Sequence, residues 1–169
     1  RKPNDEEYHL QKLFAIFQMT YVGAPMLYYG DEVGMWGAND PDCRKPMVWD
    51  DIAYDDEAAQ PDQSLRTPDA VSPHAELLRH YKTLAAIRNA SPVLQTGTYK
   101  TVIADDIYDV LVFRRVLGSE SITVGINNGD KPYRLPLAAG KKYKDLLSGN
   151  SYTGETEISA KWGVILQEQ

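Results

Sequence analysis

Two unlike halves make up this sequence, and that asymmetry constrains the fold more than any single motif. Up to Pro92 it reads as one helix, one short buried strand, one long loop and a second helix; beyond Pro92 it reads as short strands with no helix between them. A lone helix–strand–helix unit cannot bury both faces of its own strand, so residues 1–92 do not read as an autonomous domain. They read as the last portion of a larger parallel barrel or sheet whose other repeats lie upstream. The opening Arg1-Lys2-Pro3-Asn4 has neither an initiator Met nor the basic-then-apolar pattern of a signal peptide, in keeping with a processed or cut start.

The pattern behind that division is periodic. Leu10, Leu13, Phe14 and Phe17 recur at helical spacing after the acidic Asp5-Glu6-Glu7, which suits a helix N-terminus, and predict one amphipathic helix over 5–19. Gly23-Ala24-Pro25 breaks it, and Met26-Leu27-Tyr28-Tyr29 closed by Gly30 predicts a buried strand. Residues 30–72 form a long segment rich in Gly, Pro, Asp and Asn; loops of that length in a compact domain are often functional. Ser72-Pro73 is a candidate cap and first helical position for a helix carrying Leu77, Leu78, Tyr81 and Leu84, which Pro92 ends.

The second half is strand-like throughout. Candidate strands are 97–103, 108–116, 121–127, 133–137, 143–147, 156–159 and 163–166, with Asn127-Asn128-Gly129-Asp130 having the composition of a hairpin turn. Ile122, Val124 and Ile126 alternate with Thr123, Gly125 and Asn127, the period of a half-buried antiparallel strand. This is the signature of a small β-sandwich, with a boundary at residues 93–94. With 43% hydrophobic residues among 169, the chain can build a core, which argues against disorder.

Charge and cysteine usage narrow the chemistry. The net charge of −6, with no basic cluster, disfavours nucleic acid, and no apolar run approaches the ~20 residues of a membrane span. Cys43 is alone, so neither an intrachain disulfide nor a Cys/His metal set can form, and no Gly-rich phosphate loop or other cofactor motif is present. His9, His74 and His80 lie in predicted helices with no carboxylate or nucleophile at a telling spacing, and read as solvated helix residues. Asp31 and Glu32 fall just past the predicted strand, the functional end of a parallel α/β repeat, although adjacent acids there also serve as caps for backbone N–H groups. The segment Gly37–Asp50 is the richest polar and aromatic cluster. Its carboxylates, its Arg44 guanidinium and its Trp49 suit a neutral, hydroxyl-rich ligand, or else an internally salt-bridged loop. The 17 aromatic side chains fit either a core or ring-stacking platforms, and Trp162 reads as core.

At these residues a family becomes nameable. GAPMLYYGDEVGM at 23–35 and GANDPDCRKPMVWDD at 37–51 strongly resemble the end of the catalytic barrel of the α-amylase family, glycoside hydrolase family thirteen, in its neopullulanase, cyclomaltodextrinase and maltogenic amylase branch. LLRHYKTLAAIRNASPVLQTGTY at 77–99 is similar to the last barrel helix leading into the C-terminal β-sandwich. The resemblance implies an α/β plus all-β chain: residues 1–93 as the last β/α portion of a (β/α)₈ TIM barrel (helix 7, strand 8, long loop, helix 8), and 94–169 as a C-terminal antiparallel β-sandwich. It implies an α-glucan oligosaccharide as substrate of the longer protein, with no cofactor, no metal, no nucleic acid and no membrane, and the upstream barrel portion of the same polypeptide as structural partner. Asp40 and Arg44 match family positions that contact glucose units on the non-reducing side of the scissile bond, whereas Tyr28, Tyr29, Gly30 and Glu32 match the strand motif near the active site. The family's three catalytic carboxylates match nothing here, so no catalytic residue is assigned and the chain alone is expected to be inactive. The alternative is a piece of a non-catalytic barrel relative that binds carbohydrate or serves as a scaffold.

Overall fold

Helix formation begins at Asn4. Its side-chain oxygen accepts the Glu7 N–H at 2.9 Å while the Glu7 carboxylate takes the Asn4 N–H at 2.8 Å, a reciprocal cap. Arg1 lies on the same carboxylate, and its hydrogen bond, with that of Asn4, holds the Glu7 pKa down to about 2. In this computed structural model, which describes residues 1–37, 40–59 and 64–169, the elements run α1 (Asp5–Thr20), β1 (Glu57–Ala59), β2 (Leu65–Asp69), α2 (Ala75–Asn89), α3 (Pro92–Thr96), β3 (Thr98–Asp105), β4 (Val110–Leu117), β5 (Glu120–Asn127), β6 (Tyr133–Pro136), β7 (Lys142–Asp145), β8 (Ser151–Thr153), β9 (Glu155–Ile158) and β10 (Trp162–Glu168). Contacts group residues 1–8 with 26–81, and residues 9–25 with 82–169.

The larger unit is built on an antiparallel sheet of order β3-β4-β5-β10-β7-β8, with β6 and β9 paired separately. Val110, Val112, Val164 and Leu166 on one face of the large sheet share a core with Leu135 and Ile158 of the small one. Gly125 lies in register between Val112 and Val164 there, and a Cβ on it would meet Ile158 Cδ1 at 2.4 Å, so the two sheets approach closely at that point. The other face meets helices: Phe113 touches the rings of Phe17 and Tyr21, and Gly163 gives room to Ile16. Covered on both sides, β5 is buried at every residue from Ile122 to Asn127 rather than at alternate ones, because strand 121–127 is central and not one-sided.

Two buried arginines tie this unit together. Arg115, fully buried, donates to the carbonyls of Thr20, Tyr21, Leu94 and Gly97 at 2.8–3.0 Å. Arg88 donates to the carbonyls of Met19 and Gly23 at 2.7 and 2.5 Å. Helix α1 has no basic residue in its own last turn, so these side chains supply the positive charge its C-terminus favours. Burial lowers both guanidinium pKa values, yet arginine stays protonated.

Several local expectations differ from the structure. Asn127-Asn128-Gly129-Asp130 is not a hairpin turn: β5 pairs with β4 and β10 while β6 pairs with β9, so the segment carries the chain between sheets. Asn127 secures that crossing, its amide donating to the Lys131, Ile158 and Ser159 carbonyls and its Oδ1 accepting the Gly129 N–H. Helix α2 starts at Ala75, with His74 Nδ1 accepting the Leu77 N–H in place of a Ser72 cap. It stops at Asn89, and Pro92 opens α3, where Ser91 Oγ accepts the Leu94 N–H. His9 is exposed but stacks on Trp162, with ring centroids 5.0 Å apart.

In the smaller unit, residues 26–29 form no strand. Met26 is 76% exposed and Leu27 40%; a strand is completed by neighbouring strands, and the sheets formed by the described residues do not include this segment. Conversely, β1 and β2 pair antiparallel inside the stretch whose composition reads as irregular.

Candidate functional site

Gly30 sets the course of the backbone into the candidate site. Its φ of 92° is left-handed, and an added Cβ would meet Met35 Sδ at 2.5 Å, so the turn requires glycine. A 3₁₀ turn, Asp31–Val33, follows, closed by Gly34 at φ 68°. Both neighbouring acids are drawn into this turn: Glu32 Oε2 accepts the Gly30 N–H at 3.0 Å, and Asp31 Oδ2 accepts the Tyr28 N–H at 3.3 Å. Burial raises the Asp31 pKa, offset in part by that Tyr28 hydrogen bond. The turn is anchored from outside as well, since Tyr8 OH donates to the Gly34 carbonyl and the His74 N–H to that of Val33, both at 2.9 Å.

Asp40 and Arg44, the two residues matched to sugar contacts, lie together. The Arg44 Nε stands 2.9 Å from Asp40 Oδ1 across a 3₁₀ turn, Asp42–Arg44, and both side chains are about two-thirds exposed. Ala38 and Asn39 of the same motif lie outside the described residues. Cys43, between the two, is a free, exposed thiol. Tyr28 and Tyr29 lie with ring centroids 4.9 Å apart, and Tyr29 OH donates to the Lys45 carbonyl at 2.9 Å, which links the Tyr-Tyr-Gly segment to the end of the Asp40–Arg44 loop.

Below this loop stand groups that sequence reasoning did not single out. Trp36 is buried, and the ammonium groups of Lys45 and Lys2 lie 5.0 and 5.4 Å from its ring centre, within cation–π range. Lys45 is ion-paired with Glu57, Glu57 lies 3.7 Å from Arg66, and Arg66 pairs with Asp69, which accepts the Lys2 N–H at 2.7 Å. Hydrogen bonding to Lys2 is the main cause of a lowered Asp69 pKa. These charges are scattered over 67 residues of sequence, so no local pattern could have revealed the cluster. A cavity of about 520 Å³ opens beside it, lined by Lys45, Val48, Tyr54, Asp55, Glu57 and Val71 among others. Trp49 is 55% exposed, and its backbone N–H donates to Tyr54 OH at 2.7 Å.

The arrangement can grip hydroxyl groups. A carboxylate and a guanidinium side by side in solvent offer acceptors and forked donors at once, the pairing that vicinal hydroxyls satisfy. Among the described residues no three His, Cys, Asp or Glu side chains group as a metal site would, and no helix is long and apolar enough to cross a membrane.

Residues 2–97 match the family model for the alpha amylase catalytic domain. A cyclomaltodextrinase of Geobacillus thermopakistaniensis is 36% identical over 149 residues, 86% of this chain and 22% of that protein. Neopullulanase 2 of Thermoactinomyces vulgaris is 32% identical over 85% of this chain and 22% of its own length. The chain thus spans about a fifth of the length of these curated relatives. In fold, it superposes on the type III pullulan hydrolase from Thermococcus kodakarensis with a TM-score of 0.73 and 24% identity, covering 98% of this chain and 24% of that one. An Anoxybacillus alpha-amylase gives 0.72 and 23%, covering 94% and 32%.

Proposed function

Because this chain belongs to the alpha-amylase family, we propose that it is the C-terminal part of a retaining α-glucan hydrolase that acts on maltooligosaccharides, cyclodextrins or pullulan. In this reading residues 1–93 complete a (β/α)₈ barrel and residues 94–169 form the C-terminal β-sandwich. The similar cyclomaltodextrinase and neopullulanase support the substrate class. One observation carries the site assignment: Asp40 and Arg44 form an ion pair that is about two-thirds exposed, where such a pair adds little to stability. Its value lies in what it can hold.

Asp40 accepts hydrogen bonds from sugar hydroxyls, and Arg44 donates to their oxygens through two N–H groups of its planar fork. Binding there orients a glucan so that its scissile bond reaches carboxylates elsewhere in the barrel. Retaining chemistry needs a nucleophile and an acid/base with carboxyl groups roughly 5–5.5 Å apart across the glycosidic bond. Asp31 and Glu32 are committed to backbone N–H groups of their own turn and do not serve as that couple. The chain by itself is therefore inactive, and Tyr28, Tyr29, Gly30 and Glu32 shape the floor of the site.

The test is kinetic, in the full-length protein. Asp40→Ala and Arg44→Ala are each expected to lower kcat/KM on maltotriose and β-cyclodextrin by about tenfold, the cost of one charge-assisted contact. Unchanged kinetics on both substrates would reduce the pair to a surface salt bridge. A full-length protein that binds these glucans without cleaving them would establish the non-catalytic alternative.

A further inference from the structure

We propose that Lys45, held between Glu57 and the face of Trp36, is a positioning residue that sets the geometry of the Asp40–Arg44 sugar grip. The inference rests on the functional reading above and adds the residues that make the grip rigid.

Among the described residues, Asp40 and Arg44 have little holding them. Their mutual contact is solvent-exposed, and the Arg44 N–H donates to the Pro41 carbonyl within the same short turn. Geometry this loose does not orient a ligand, since a binding constellation must be kept within ~0.5 Å by the residues behind it. Lys45 is the residue immediately after Arg44, one Cα step of ~3.8 Å away, so whatever fixes Lys45 fixes the end of the turn.

Three independent contacts fix it. The carbonyl accepts from Tyr29 OH at 2.9 Å, the ammonium is paired with Glu57, and the same ammonium lies 5.0 Å from the Trp36 ring centre. Lys45 and Glu57 are 25% and 27% exposed in their side chains, against 65% and 64% for Arg44 and Asp40, so their attraction is far less screened by water. Trp36 is 9% exposed and cannot swing away. Glu57 is in turn held on strand β1, close to Arg66 of β2. The β1–β2 pair is thus a buttress: its charged face holds Lys45, and Lys45 holds the loop that presents Arg44.

The experiment uses the full-length protein with maltotriose and β-cyclodextrin. Lys45→Met keeps the apolar stem and removes the charge, and Glu57→Gln keeps the shape of its partner. Each is expected to raise KM about tenfold with kcat changed by less than about twofold, because binding is loosened equally in ground and transition states. The double variant is expected to be no worse than either single one, and Lys45→Arg, which pairs with Glu57 and stacks on Trp36, to keep KM within about twofold of wild type. KM unchanged in both single variants, while Asp40→Ala and Arg44→Ala raise it, overturns the positioning role and leaves the functional reading intact. Unchanged kinetics in Asp40→Ala and Arg44→Ala overturns that reading itself. Equal loss in Lys45→Arg and Lys45→Met, or a fall in kcat matching any loss of folded protein, marks a merely structural lysine and likewise overturns the proposal.

Discussion

At the scale of single residues, the most consequential side chain is one the sequence gives no reason to notice. Arg114-Arg115 sits in a stretch that reads as an ordinary strand, where alternation assigns one arginine to each face and says nothing of what the inner one meets. Among the described residues, the Arg115 guanidinium hydrogen-bonds to carbonyl groups, four of them within 3.0 Å. Arg115→Met is therefore expected to destabilise the protein by ~3 kcal/mol or more, since it takes this donor away from buried carbonyl acceptors. Arg115→Lys is expected to recover only part of that, a point charge being unable to reach carbonyls spread around a planar fork. Urea denaturation of the three proteins checks both, and wild-type stability in Arg115→Met would mean that water replaces the guanidinium. Asp40 and Arg44 were singled out by resemblance to family positions rather than by spacing, and the structure adds that they pair across one short turn.

Secondary-structure elements were legible where their signals are local. The stripe of Leu10, Leu13, Phe14 and Phe17 marks α1 to within a residue or two, and the Val/Ile/Thr runs mark β3, β4, β5 and β10. Signals failed where a partner decides the outcome. Residues 26–29 have a strand's composition but join none of the sheets among the described residues, whereas Glu57–Ala59 and Leu65–Asp69 have a loop's composition but find each other. The half-buried pattern of β5 misled because a second sheet covers its Thr and Gly positions. Gly125 measures how tightly: Gly125→Ala is expected to cost ~1–3 kcal/mol by forcing a methyl against Ile158 Cδ1. Ile158→Val removes that carbon at ~0.5–1.5 kcal/mol, and the double variant should lose clearly less than the two costs together. Strict additivity in a thermal or urea double-mutant cycle would show that the sheets do not touch there.

For the molecule as a whole, the lopsided order of helices and strands was the most informative feature, and the comparisons agree, the chain matching only about a fifth of each curated relative. What the sequence could not supply was the burial of its apolar groups. In the larger unit Phe14 on α1 is 68% exposed, with Leu10 and Val22 also exposed; in the smaller unit Met26 is 76% exposed, with Tyr28 and Tyr29 also exposed. Made alone, this chain is expected to bind anilinonaphthalene sulfonate strongly. Phe14→Ser together with Met26→Ser should cut the fluorescence severalfold, and the full-length protein should bind little; equal dye binding in all three would mean these side chains are not the exposed surface in solution. The Arg115 contacts carry a last implication, one of time. The Thr20 carbonyl and its guanidinium donor are 95 residues apart. At a synthesis rate of ~5–20 residues per second, the end of α1 emerges from the ribosome roughly 5–20 s before the arginine that caps it exists. During that interval the Thr20 carbonyl waits for its guanidinium donor, so the C-terminus of α1 is completed only once β4 has been made.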